Sequence, residues 1–204
     1  MRLRTRNVVL LASALTALLA VPAGAQARTP PAGAQARTPP AAGQTSTPAA
    51  AQPSPPPGAR GPIITHPTET AFDYPAGEVC AFPSHTDFPV DDLTMKTWVD
   101  AAGDPVFATE TGPLVQRTTN LDTGQTVERN ISGDGVITYP DPDSYILSGN
   151  DWSAGFHTAD RPVHNKWIIA GPFMSVKITT VNGQTTRSLL ALAGPYEDLC
   201  KTLS

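Results

Sequence analysis

The 204-residue chain has two cysteines, Cys80 and Cys200, one near each end of the portion that carries its aromatic residues. If they pair, their Cα atoms must lie within about 7 Å of each other, so the first and last structured segments must be neighbours. Closing a loop of this length removes on the order of 4 to 5 kcal/mol of denatured-state entropy in the chain-entropy model. Pairing needs an oxidising compartment. Two cysteines this far apart also lack the local ligand pairs of a zinc module, and neither a metal nor a cofactor is expected.

The N-terminus supplies that compartment. Arg2, Arg4 and Arg6 form a cationic head, fourteen uncharged residues run from Val8 to Val21, and small residues follow at Ala25-Gln26-Ala27. This is the three-part pattern of a secretory signal, and its apolar stretch is too short to span a bilayer stably. The arginines are not a twin pair, so the general secretory route is expected. A nine-residue unit then occurs twice, at Pro22 to Pro30 and at Pro31 to Pro39, which repeats the Ala-Gln-Ala signal at Ala34 to Ala36. From Arg28 to Arg60 there are nine prolines and no aromatic, Val, Ile or Leu. Such a stretch has too little apolar surface to offset the entropy lost on ordering. The expected organisation is a signal peptide at 1–27, a disordered Pro/Ala-rich linker at 28–62 and one disulfide-stapled domain at 63–204. The mature protein is expected to be secreted or held at the cell envelope.

Charge separates along the same boundary. From Gly61 onward the chain has eight basic and 18 acidic side chains, a formal charge of −10, which argues against a duplex nucleic acid held through phosphate contacts. No twenty-residue apolar span exists for a membrane helix, so the mature protein is expected to have no integral span.

Between the cysteines, short apolar or β-branched runs recur: 93–99, 106–111, 114–121, 126–131, 136–139, 145–148, 167–170, 174–181 and 185–192. Gly, Pro, Asn and Asp clusters separate them. This is an all-β rhythm, expected to form a single antiparallel sandwich or a closed β-barrel of about 8–10 strands. Asn182-Gly183 supplies both positive-φ positions of a two-residue hairpin turn. A second hairpin is expected around Gly124. Placing Val115, Thr119 and Leu121 on the same side as Val127 and Ile131 requires a loop of three or five residues. Pro195 to Cys200 is expected to form a short C-terminal helical turn.

The segments Cys80-Ala81-Phe82, Thr119 to Val127, Asn130 to Gly133, Gly194 and Asp198-Leu199-Cys200 resemble those of small exported β-rich proteins of actinobacteria. In that group a leader and a variable linker precede one domain with a cysteine at each end. The resemblance implies export, the disulfide and the β architecture, and it carries over no catalytic residue.

Candidate chemistry is sparse. His157, Asp160 and His164 place two imidazoles and a carboxylate within eight residues, a trio that could bind a metal or orient a base. Its spacing matches no metal signature, and Pro162 breaks any helix that would unite the histidines, so a solvated loop is the simpler reading. Ser84-His85-Thr86-Asp87 places triad residue types side by side, but triads assemble in space. Asp91-Asp92, Asp134 and Asp141-Pro142-Asp143 could offer oxygen ligands to calcium, although Asp beside Gly and Pro is ordinary turn chemistry. Trp152 lies in a polar, glycine-rich stretch, where it could stack a sugar ring or anchor a protein partner, or fold back as a core plug. No nucleophile elbow, zincin motif or phosphate-binding loop is present. The expected function is a non-enzymatic binding or envelope-associated module with a protein or carbohydrate ligand. The alternative is a small-ligand carrier or hydrolase using the mouth of a β-barrel.

Overall fold

The computed structural model describes residues 53–204. The leader, the repeat, both cleavage signals and most of the linker lie outside the described residues. Along the chain run β1 (Arg60–Thr65), β2 (Phe72–Tyr74), β3 (Ser84–Asp91), β4 (Thr94–Val99), β5 (Pro105–Thr111), β6 (Leu114–Asn120) and β7 (Thr126–Asn130). They are followed by β8 (Gly135–Asp141), β9 (Ser144–Gly149), β10 (Trp152–Phe156), β11 (Lys166–Ala170), β12 (Phe173–Val181), β13 (Gln184–Ala193), β14 (Tyr196–Asp198) and helix α1 (Leu199–Thr202).

The strands form three antiparallel sheets. Seven strands follow the order β1-β4-β5-β8-β9-β12-β13, four follow β2-β3-β6-β7, and three follow β10-β11-β14. None of the sheets closes on itself, which fits a sandwich and not the closed barrel that the sequence left open. Each of the nine apolar runs becomes a strand, but the described residues hold fourteen strands rather than about 8–10. The additional ones are β1, β2, β3, β10 and β14. The first begins at Arg60, ahead of the expected boundary at 63. All of its residues are exposed, so burial leaves no mark on its sequence. The C-terminal turn also forms later than expected: Tyr196–Asp198 is extended and pairs with β11, and the helix occupies Leu199–Thr202.

Both expected hairpins form, one with a different register. Val181 pairs with Gln184 across Asn182 and Gly183, both at positive φ. In the other, Thr119 pairs with Thr126 and the Asn120 N–H bonds to the Gln125 carbonyl, leaving a four-residue loop. Gly124 takes the left-handed conformation as expected, and its N–H bonds back to the Asn120 carbonyl. The even loop reverses the expected facing of β6. Leu114, Gln116, Thr118 and Asn120 are buried, while Val115, Arg117 and Thr119 are only partly covered. This polar inner face is satisfied locally. Thr118 bonds to Thr86 of β3 at 3.1 Å and accepts from Gln116 Nε2 at 2.9 Å, and Asn120 Nδ2 donates to the Leu203 carbonyl at 2.7 Å. On the other face Arg117 pairs with Asp87, whereas Arg129, the cross-strand partner of Gln116, forks onto Glu197 of β14 at 2.6 and 2.8 Å.

Cys80 and Cys200 form the expected disulfide, with Cα atoms 5.2 Å apart. It lies in a buried cluster with Val79, Phe82, Trp167, Leu199 and Leu203, against which Phe72 and Tyr74 pack. A second cluster joins Ala154, Phe156, Ile168 and Ala170 of the three-stranded sheet to Met174, Val176 and Ile178 of β12. A third comprises Leu93, Leu114 and Ile131, with Phe88 beside it. A domain of this size ordinarily has one contiguous apolar core. Here the core is in three parts.

Candidate functional site

A cavity of about 350 Å³ lies where those clusters would otherwise merge. Members of all three line it: Trp167 of the first, Trp152, Ala154, Val176 and Ile178 in or against the second, and Leu93, Leu114 and Ile131 of the third. Alternation along the strands of the large sheet brings further residues to the same wall. Tyr145, Ile178 and Arg187 are cross-strand neighbours on β9, β12 and β13, and partners in register share a face of the sheet. Leu147 and Val176 form the next such pair. On β5, Glu110 lines the cavity opposite Gly135 of β8, which has no side chain to fill the space.

Glu110 and Glu69 both line the cavity. Glu69 is exposed, so it stands where the cavity meets solvent, and its backbone N–H bonds to Asp91 Oδ2 at 2.5 Å. The other Asp91 oxygen, Oδ1, is buried without a hydrogen-bond partner among the described residues. Burial, with Glu69 and Asp91 nearby, pushes the Glu110 carboxyl up to about 7. Glu69 is raised as well, by partial desolvation and by Asp91, but its contact with water screens it and Glu110 carries the larger effect.

Arg187 also lines the cavity, and its charge is already matched. Asp160, with no solvent exposure, accepts the Arg187 backbone N–H on Oδ1 at 2.6 Å, and its Oδ2 lies 3.5 Å from Arg187 Nη1. Oδ2 also accepts the His157 N–H at 2.6 Å. His157 Nδ1 lies 2.7 Å from Arg187 Nη1 and 3.1 Å from Asp160 Oδ2. It cannot accept from the first and donate to the second at once. Arginine only donates, so Nδ1 accepts from Arg187, and the ring proton falls on Nε2, facing Glu78 Oε1 at 3.6 Å. Tyr74 packs edge-on against the His157 ring at 5.0 Å and against Trp167 at 5.5 Å, linking this network to the aromatic wall.

The residues singled out from sequence therefore separate. His157 and Asp160 come together, but behind Arg187 rather than in the cavity wall. His164 makes none of these bonds, and its Nδ1 is buried without a partner among the described residues. The His157–His164 stretch is no free loop. Arg161 N–H bonds to the Arg187 carbonyl and Leu189 N–H to the Arg161 carbonyl, so the segment covers part of the open edge of β13. Trp152 lies in strand β10, half-buried against the second cluster, with Nε1 donating to the Met174 carbonyl at 3.2 Å. It packs as a plug does and still contributes to the cavity wall. In β3, Ser84 and Thr86 face inward, while His85 bonds to Asp73 and Asp87 to Arg117, so alternation scatters the triad types over two faces. No group of three or more His, Cys, Asp or Glu among the described residues is placed to hold a metal ion.

Sequence reasoning missed Glu69, Glu110, Tyr145 and Arg187. Their only signal was a lone polar residue in or beside a strand, and Arg117, which faces outward, and Arg129, which pairs with Glu197, carry the same signal. The chain matches no protein-family model, no curated protein and no solved structure.

Proposed function

We propose that this chain is an exported binding module whose stapled β domain takes a small ligand into the cavity between its sheets. The observation that carries this reading is the division of the apolar core into three clusters around about 350 Å³ of space. Cores ordinarily close such a gap, because lost contacts destabilise the fold. The volume falls within the range of small-molecule sites, roughly 300 to 1,000 Å³, and the wall combines apolar and aromatic side chains with a few polar groups, as such sites do. The leader and the Cys80–Cys200 bridge support export. This reading follows the sequence-based alternative of a small-ligand carrier, with a cavity between open sheets in place of a barrel mouth.

Glu110, held near neutrality, favours a second reading, in which it serves as a general acid or base in a hydrolase. Turnover of a bound ligand, lost in Glu110→Gln, would establish it.

The test of the binding reading is a small-molecule screen by thermal shift on the native chain and on Ala154→Leu, which adds bulk to the cavity wall. Compounds that stabilise the native chain and not the variant support the reading. Hits that persist unchanged in Ala154→Leu, or a broad screen that yields none, would overturn it.

A further inference from the structure

The wall of the cavity has a charge balance that specifies its ligand further, and the inference rests on the cavity being the binding site. Arg187 is matched by Asp160. Glu110 and Glu69 have no cationic partner among the described residues: the charged groups acting on Glu110 are Glu69 and Asp91, and the one acting on Glu69 is Asp91. Other basic side chains pair elsewhere, Lys177 with Asp141, Lys166 with Asp198, and Arg117 with Asp87 and Glu128. The cavity wall thus has excess negative charge once Glu110 ionises. It also has the rings of Phe72, Tyr74, Phe88, Tyr145, Trp152 and Trp167. Aromatic faces attract cations, and desolvation strengthens the attraction. A carboxylate ligand would meet Glu69 and Glu110 and find Arg187 already paired. A neutral polyol would leave the excess charge uncompensated.

We infer that the cavity binds an organic cation, a primary or quaternary ammonium on an apolar or aromatic body, with its charge at Glu110 and Glu69 and its body against the rings. The formal charge of −10 from Gly61 onward favours the approach of such a ligand from solution.

A cation beside Glu110 favours the ionised carboxylate. The groups facing Glu110 are Glu69 from the segment before β2, Asp91 of β3, and Tyr139 and Tyr145 of β8 and β9, while its β4 neighbour Met95 brings no charge. Binding therefore displaces the proton that Glu110 holds near neutrality. Affinity should rise about tenfold from pH 6 to pH 8, as the ionised fraction of a group with a pKa near 7 does.

The experiment is calorimetric titration of the full chain with benzyltrimethylammonium, phenethylammonium, phenethyl alcohol and 3-phenylpropionate at pH 6 and pH 8. It is repeated with Glu110→Gln, Glu69→Gln and Ala154→Leu. The expected result is that the two cations bind at least tenfold more tightly than the alcohol or the acid, and more tightly at pH 8. Either carboxamide variant should lose at least tenfold, Glu110→Gln should lose the pH dependence, and Ala154→Leu should lose binding. If the alcohol or the acid binds as well as the cations and Ala154→Leu abolishes that binding, the cavity reading stands and the cation inference falls. If cations bind equally well to Ala154→Leu, both fall. Absence of binding by either cation overturns the inference, and the screen then judges the cavity alone.

Discussion

Glu110 shows what one residue contributes when its surroundings oppose its charge. Its carboxyl titrates near 7 in the fold against about 4.5 for the unfolded chain. Between those values the native state holds a proton that the denatured state has released, so stability falls as pH rises through the interval. The contribution is fully present below about 4.5 and is lost above about 7. At roughly 1.4 kcal/mol per pH unit the ceiling is about 3 kcal/mol, and the partial solvent contact of Glu110 lowers it. Glu110→Gln removes the charge and keeps the shape. Urea denaturation should therefore show the variant more stable than the parent at pH 8, with the difference shrinking towards pH 4.5. An equal difference at both pH values would mean that ionisation is not its source. Nothing in the local sequence Ala108-Thr109-Glu110-Thr111 marks this glutamate as inward-facing, because alternation gives two faces without saying which one is covered.

Strands were legible in proportion to how apolar they are. Leu93 to Val99 and Met174 to Val181 advertise themselves, whereas β3 buries Ser84 and Thr86 and contains Pro89, beside which its pairing with β6 slips. The β6–β7 hairpin was visible through Gly124, but its facing depended on one residue of loop length, and Gln116, Thr118 and Asn120 do not look like core residues in a sequence. The His157–His164 segment drew attention for its chemistry, while its hydrogen bonds show its structural work on β13. Unsealed edge strands invite pairing with other chains. Asp160 anchors the seal, accepting the N–H groups of both His157 and Arg187 with no access to water. Asp160→Ala leaves buried donors unpaired and should cost about 3 kcal/mol or more. Chemical denaturation and size-exclusion chromatography of the variant check both consequences: a lowered midpoint, and self-association through the uncovered edge. A variant that keeps the stability and the elution volume of the parent would show that the segment seals nothing.

At the scale of the whole molecule, the disulfide joins the loop between β2 and β3 to the short C-terminal helix. The double substitution Cys80→Ala and Cys200→Ala should lower the unfolding free energy by about 4 kcal/mol, the entropy expected for a loop of this length. Equilibrium denaturation of the variant measures this directly, and a loss below about 1 kcal/mol would mean that the bridge ties together ends already held by packing. The bond also divides the polypeptide by the path that tension would follow. A pull between the N-terminal tail and Ser204 runs through β1 and β2 to Cys80, crosses the sulfur bridge to Cys200 and leaves by the helix. Residues 81–199 lie outside that covalent route and meet it through the pairing of β1 with β4 and of β2 with β3. Glu69, Phe72 and Tyr74 lie on it and line the cavity. Traction between those ends would therefore load the strands that carry one wall of the cavity, coupling the shape of the cavity to mechanical force.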